Sequence, residues 1–213
     1  MDLRGMSDDF LPVADFNDRM YDIYTAIPGI ITAFDEDTKL ASVQIAIRMK
    51  TVVNGVVKYL DPPPVTNVPV VLPSSTGAGV FITVPIKIND PCLLIFSQRG
   101  IDNVVERAGL QDPPDTTSKM MSRIRHHDMA DAICIPGLLC KYNAPSDWAL
   151  DGIEIRNASK SVCLSVKEDK IYVTGDMNVS GTVTAVGDVV AGTVSLRNHT
   201  HPYSGGDTGA PNE

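Results

Sequence analysis

The sequence predicts an all-β protein in two parts, an N-terminal OB-fold barrel followed by a trimeric intertwined β-helix shaped as a triangular prism. Three observations carry this reading. Gly and Pro number 16 and 15 in 213 residues while aromatics make up only 6%, a balance that favours Val-rich strands with many reversals. Proline disappears between residues 146 and 201 after a region full of it. In that proline-free stretch apolar and polar residues alternate, which is the period of a half-buried strand.

Residues 1–27 read as an N-terminal helical arm. Phe16, Met20, Ile23 and Ile27 recur at helical spacing, Asp9 or Asp15 can cap, and Pro28-Gly29 marks the stop. One short amphipathic helix cannot bury its stripe alone, so it must dock on the next domain or on another chain. Residues 28–146 read as the barrel. Strands are expected at Gly29–Phe34, Leu40–Met49, Val68–Leu72, Val80–Val84, Cys92–Phe96 and Ile133–Leu139, with a hairpin around Asn54-Gly55. Asp35-Glu36-Asp37-Thr38 and Ser74–Gly79 read as turns. Such a strand set with one Pro-rich excursion suits a small Greek-key barrel of the OB type.

Residues 147–198 read as the β-helical spike. Ile153 and Ile155 share one strand face, then Val162, Leu164 and Val166. From Ile171 the odd positions run Ile171, Val173, Gly175, Met177, Val179, Gly181, Val183 and Ala185, and the even ones are mostly polar. Glycines fall at 175, 181, 187 and 192, as in a repeat. A ribbon with one Val face and no helix to cover it cannot bury that face by itself. Three chains packed around an axis are the smallest closed solution and also remove exposed strand edges. A monomeric solenoid or an added edge sheet is the alternative. Residues 199–213 form the apex.

Composition narrows the function. With 26 acidic and 18 basic side chains the net charge is −8, the wrong sign for a nucleic-acid partner. No apolar stretch approaches the ~20 residues of a spanning helix. The first twenty residues are acidic and lack an apolar core, so synthesis in a cytoplasm without a signal peptide is expected. Cys92, Cys134 and Cys163 each lie in an apolar run and are expected as buried thiols, with no CxxC and no disulfide framework.

His199-Thr200-His201 is the sharpest motif. In extended chain, residues i and i+2 point the same way. Two ligands are not a site, but three chains would bring six neutral imidazoles to one axis. Six nitrogens suit an octahedral transition-metal ion and disfavour zinc, which prefers four ligands. The alternative is two solvated histidines in a tail. The apolar positions just before the pair, Val194 and Leu196, are even, so a kink near Arg197-Asn198 is required if both sets face the axis. His126-His127 are adjacent, cannot share a strand face, and read as solvated. Ser74–Gly79 lacks the Gly-Lys-Ser/Thr of a phosphate loop. No nucleophile elbow, HExxH or zinc-finger spacing occurs, and no enzyme is expected.

These residues resemble a known family. The run GDVVAGTVSLRNHTHPYSGGDTGAP resembles the tip of the central spike, or membrane-piercing, baseplate proteins of contractile-tailed bacteriophages. AIPGIITAFDEDTKLASVQIAI and RIRHHDMADAICIPGL resemble the start and end of the OB domain in one branch, and WALDGIEIRN the start of the β-helix. The resemblance implies a homotrimer in the virion, with the OB collar against baseplate hub and tail-tube proteins. It implies a metal-capped tip, in which His199 and His201 of each chain hold one iron ion octahedrally. It implies the minimal branch without a lysozyme domain, which pierces the host outer membrane as the tail contracts. The spike tip of a related contractile injection or secretion system is one alternative. A trimeric receptor-binding tail protein is another, though it would need exposed aromatics and only Tyr203 is near the apex.

Overall fold

The computed structural model describes residues 23–111 and 125–209. The chain divides into two compact units, one up to Ala144 and one from Pro145. The helical arm expected for residues 1–27 lies mostly outside the described residues. Its end is corrected, because β1 (Ala26–Phe34) already begins at Ala26 and runs straight through Pro28-Gly29.

Two local facts let that strand form. Pro28 offers its carbonyl to the Ala46 amide, so its missing N–H points just past β2 (Leu40–Ile45), where no ladder bond is lost. Gly29 allows a close approach. A Cβ there would sit 2.5 Å from Val43 Cγ1 and 3.2 Å from Cys92 Sγ.

The first unit continues with β3 (Met49–Val53), β4 (Val56–Leu60), β5 (Val65–Pro69), β6 (Ser74–Ser75), β7 (Val80–Phe81), β8 (Pro91–Phe96), the short helix α1 (Asp102–Glu106) and β9 (Ala132–Pro136). Five of these strands form one antiparallel sheet in the order β5-β2-β1-β8-β9. The sheet curls into a half-barrel. Just past β5, Val70 pairs in parallel with Cys134 of β9, and the Val71 amide donates to the Cys134 carbonyl at 2.9 Å.

The core follows the strand period. Ala41, Val43 and Ile45 of β2, Cys92, Leu94 and Phe96 of β8, and Ala132 and Cys134 of β9 all point inward, with Ile31, Val65 and Val68. The Tyr24 ring closes one end against Phe96, with centroids 5.3 Å apart. Cys92 and Cys134 are buried as expected and share a hydrogen bond. That bond, and then burial, push the Cys134 thiol up.

The Asn54-Gly55 hairpin forms as expected, with both residues in the left-handed region (φ 53 and 75) and Val53 opposite Val56. Asp35 caps its own turn. Its Oδ1 accepts from the amides of Asp37 and Thr38 at 2.8 and 3.3 Å, and these bonds hold its carboxyl below the ordinary range. Other boundaries differ. The strand expected at Val68–Leu72 is β5, three residues earlier, because Val65 and Val68 both enter the core. Asn67, at φ 58, supplies the extra residue between them, and the β2 register shifts between Ala41 and Val43 to match. The expected strand Val80–Val84 stops at Phe81, short of Pro85, which cannot donate to a ladder.

Asp131 is fully buried beside β9. Its Oδ1 accepts from the Ile101 amide at 3.1 Å and from Arg125 Nη2 at 2.9 Å, while Oδ2 has no partner. Burial outweighs the Ile101 bond and the Arg125 charge and raises its pKa above the ordinary 3.8.

In the second unit β10 (Gly152–Arg156), β11 (Cys163–Lys167) and β12 (Ile171–Thr174) form an antiparallel meander. Two small hairpins follow, β13 (Val190–Ala191) with β14 (Val194–Ser195), and β15 (Pro202–Tyr203) with β16 (Gly206–Asp207). The alternation from Ile171 to Ala185 predicts continuous strand, yet residues 175–189 carry none. The physical reason is that alternation specifies a face and a single chain offers this stretch no ladder to join.

Two outcomes are expected from this unit-by-unit packing. Gly29→Ala should cost about 1–3 kcal/mol by overpacking Val43, seen as faster hydrogen exchange across β1 and β2. Unchanged exchange would show that β1 can simply move away. An NMR titration of the Asp131 carboxyl should give a midpoint above 3.8. The folded state then holds this proton more tightly than the unfolded chain. The stabilising contribution is therefore full below 3.8 and is lost as pH rises through the folded midpoint. A midpoint below 3.8 would mean that Arg125 outweighs burial.

Candidate functional site

The meander has two unlike faces. On one, Ile153 opposes Val166, Ile155 opposes Leu164, Leu164 opposes Val173, and Val166 opposes Ile171. Residues directly opposite in an antiparallel pair point to the same side. These six side chains therefore form one apolar patch across three strands. In the single chain they are 39% (Leu164) to 71% (Ile153) exposed. The other face is polar and closed. Arg156 reaches Asp147 and Glu154, both at 3.1 Å, and Lys160 reaches the same two carboxylates at 3.3 and 3.1 Å. Cys163 and Ser165 are buried on that side. The ion pairs thus tie the segment before β10 to the polar face, while the apolar face is left uncovered among the described residues.

The histidine pair lies beyond β14. A turn at residues 196–198 breaks the strand, at the place where the change from even to odd positions needs a kink. His199 is half-buried and His201 exposed. Their rings stand edge to face with centroids 5.0 Å apart.

The hydrogen bonds around His199 decide its chemistry. Its backbone amide donates to the Ser195 carbonyl at 3.0 Å. Its Nδ1 lies 3.0 Å from that same oxygen and 3.1 Å from the Leu196 carbonyl. Carbonyls only accept, so in the neutral ring Nδ1 carries the proton and Nε2 keeps a free lone pair. A metal-ligating histidine is commonly held in this way by a carbonyl behind it. His201 is held through its backbone. Its amide donates to Thr208 Oγ1 at 2.8 Å, and its carbonyl accepts from the Thr208 amide at 2.9 Å.

Among the described residues no three His, Cys, Asp or Glu side chains of one chain gather as a metal site. The pair gives two donors, too few by itself, and the donor type suits a transition metal. Ser195 and Leu196 were not legible as partners of the pair, because they act through main-chain carbonyls that any residue carries.

The other sequence candidates fare differently. His126 is exposed and its Nε2 accepts from Arg99 Nη1 at 3.0 Å. His127 corrects the expectation of a solvated residue. It is half-buried at φ 51, with its amide on the Ser97 carbonyl and its carbonyl accepting from the Tyr24 amide. It serves as a backbone corner that ties the residues just before β1 to those just after β8. Cys163 is buried and Cys140 half-buried.

Residues 27–137 match the family described as Phage protein Gp138 N-terminal domain. No curated protein matches the chain. The matched stretch coincides with the five-stranded half-barrel, from the second residue of β1 to the residue after β9. It takes in just over half of the 213 residues. The chain belongs to the Phage protein Gp138 N-terminal domain family, and so is a phage structural protein.

Proposed function

We propose that this chain is the central spike of a contractile phage tail baseplate, a homotrimer that pierces the host outer membrane. The observation that carries the reading is the uncovered apolar face of β10–β12, joined to a half-barrel of phage family. Burying each such side chain gains about 1.5–3 kcal/mol, and copies of the same sheet are the cover a phage needle can supply from one gene product. Three meanders facing one axis bury all of it and leave the ion-paired face outside.

On this reading the first unit is an OB-type collar. The strand order β5-β2-β1-β8-β9, with the parallel pairing at Val70 and Cys134, supports that barrel type. The collar would meet hub and tail-tube proteins. The alternating residues 171–185 gain in the trimer the ladder partners that one chain lacks. The tip is clamped by one iron, held by His199 and His201 of each chain. Bound there, the metal supplies cross-linking of three chain ends and no reaction chemistry. The protein acts as a needle without catalysis or nucleic-acid binding. Its membrane contact is brief, and its acid exterior opposes lasting adhesion. Strands shared among three chains must come apart together, so resistance to force is set by a slow unfolding rate.

Light scattering of the purified chain is expected to give three copies per particle. Leu164→Asp should abolish assembly, since Leu164 sits in the middle of the patch with Ile155 and Val173 on either side, and three like charges cannot all ionise in a dry core. A stable monomer of the native chain, or an intact trimer of the Leu164→Asp variant, would sink the needle reading. Elemental analysis should find one iron per three chains. His199→Ala and His201→Ala should each empty the site while leaving the trimer assembled through its apolar face.

A further inference from the structure

We propose that Asp188 is a positioning residue for His199, acting through the turn at residues 196–198 to fix which imidazole nitrogen is free to bind metal. The proposal deepens the metal reading of the histidine pair and rests on it.

The argument starts from how little holds the β13–β14 hairpin. Each strand is two residues long, with Val190 opposite Ser195 and Ala191 opposite Val194. A ladder that short is not stable in water by itself. Asp188, just before β13, closes it. Its Oδ1 accepts from the Val189 amide at 2.8 Å and from the Arg197 amide at 3.1 Å. The neighbouring Leu196 amide donates to the Val189 carbonyl at 2.8 Å. One carboxylate thus bridges the residue before the hairpin to the residues that leave it.

The bonds continue to the histidine without a conflict of roles. The Ser195 hydroxyl oxygen accepts from the Asn198 amide at 2.9 Å. The Ser195 carbonyl then receives both the His199 amide and His199 Nδ1, each at 3.0 Å. Asp188 holds the Arg197 amide, and so the turn between Ser195 and His199, while the Ser195 carbonyl holds the proton on Nδ1. Nε2 is left as the donor for a metal. If the turn loosens, the ring is free to take the other neutral tautomer, with its proton on the nitrogen that should bind. Replacing the outer partners of a ligating histidine commonly costs about 10–100-fold in metal affinity.

The experiment uses the full chain expressed without iron, as wild type, Asp188→Ala, Asp188→Asn and Ser195→Ala, each checked for assembly by light scattering. Two quantities are read: the His199 tautomer by 15N NMR at about pH 8, above the usual histidine range, and Fe2+ affinity by anaerobic titration. In wild type the Nδ1–H form should dominate. Asp188→Ala should show a mixture with the Nε2–H form and bind Fe2+ about 10–100-fold more weakly. Asp188→Asn keeps an acceptor oxygen and should restore most of both, which loss of bulk stability would not do. Should Asp188→Ala fail to assemble, Ser195→Ala decides, because it removes the Asn198–Ser195 bond of the same turn and leaves the backbone ladder in place. An unchanged tautomer and unchanged Fe2+ affinity in the assembled variants would overturn the proposal. A wild type that binds no Fe2+, with a tautomer that still depends on Asp188, would sink the metal reading and leave the positioning role standing.

Discussion

A sheet must cover its apolar face, and in this chain one sheet cannot. The β10–β12 meander sets six aliphatic side chains on one side and an ion-paired polar surface on the other. The polar side is already occupied by its own chain, so the sheet cannot turn over to hide its apolar residues. On the proposed reading, copies of the chain are the cover. The strandless stretch at residues 175–189 follows from the same condition. Alternating Val and Thr are adapted to a ladder, and a ladder needs a neighbour. The first unit solves the same problem internally, by curling until Val70 meets Cys134.

What was legible in the sequence divides along that line. The barrel strands could be read because each carries its own local signal. Asn54-Gly55 can hardly be anything but a two-residue hairpin turn, and β8 is an unbroken apolar run. Errors fell where tertiary packing overrides local cues. Pro28-Gly29 looks like a stop but lies inside β1, because the proline's missing donor faces past a strand end and the glycine is needed for contact with Val43. The β5 boundary moved because Asn67 accommodates a bulge that no residue count reveals. His127 reads as a surface residue, and only the fold shows that its backbone is a corner between Ser97 and Tyr24.

At the histidine motif the sequence was informative about residue type and silent about support. An i, i+2 pair announces two imidazoles on one side of an extended chain. It says nothing of the carbonyls behind His199, because these belong to the main chain. Asp188 gave no signal either. It lies eleven positions before His199, and becomes visible only when the hairpin brings it to the Arg197 amide.

On the proposed reading the apex is narrow, and narrowness limits the means of holding it together. A pointed end has too little volume for a hydrophobic core, and the sequence there supplies Gly, Thr and Asp in place of Val. Order must come from hydrogen bonds, and the two histidines sit between two such clasps. His199 is fixed from behind by Ser195, and His201 is fixed from ahead by Thr208 in both backbone directions. Only Thr200 separates them. With both flanks held, the rings keep their edge-to-face arrangement at 5.0 Å without apolar packing. A pair ordered in advance loses little conformational entropy on binding a ligand. On the proposed reading, the metal then joins chain ends that are already shaped, and its binding free energy goes into holding the chains together.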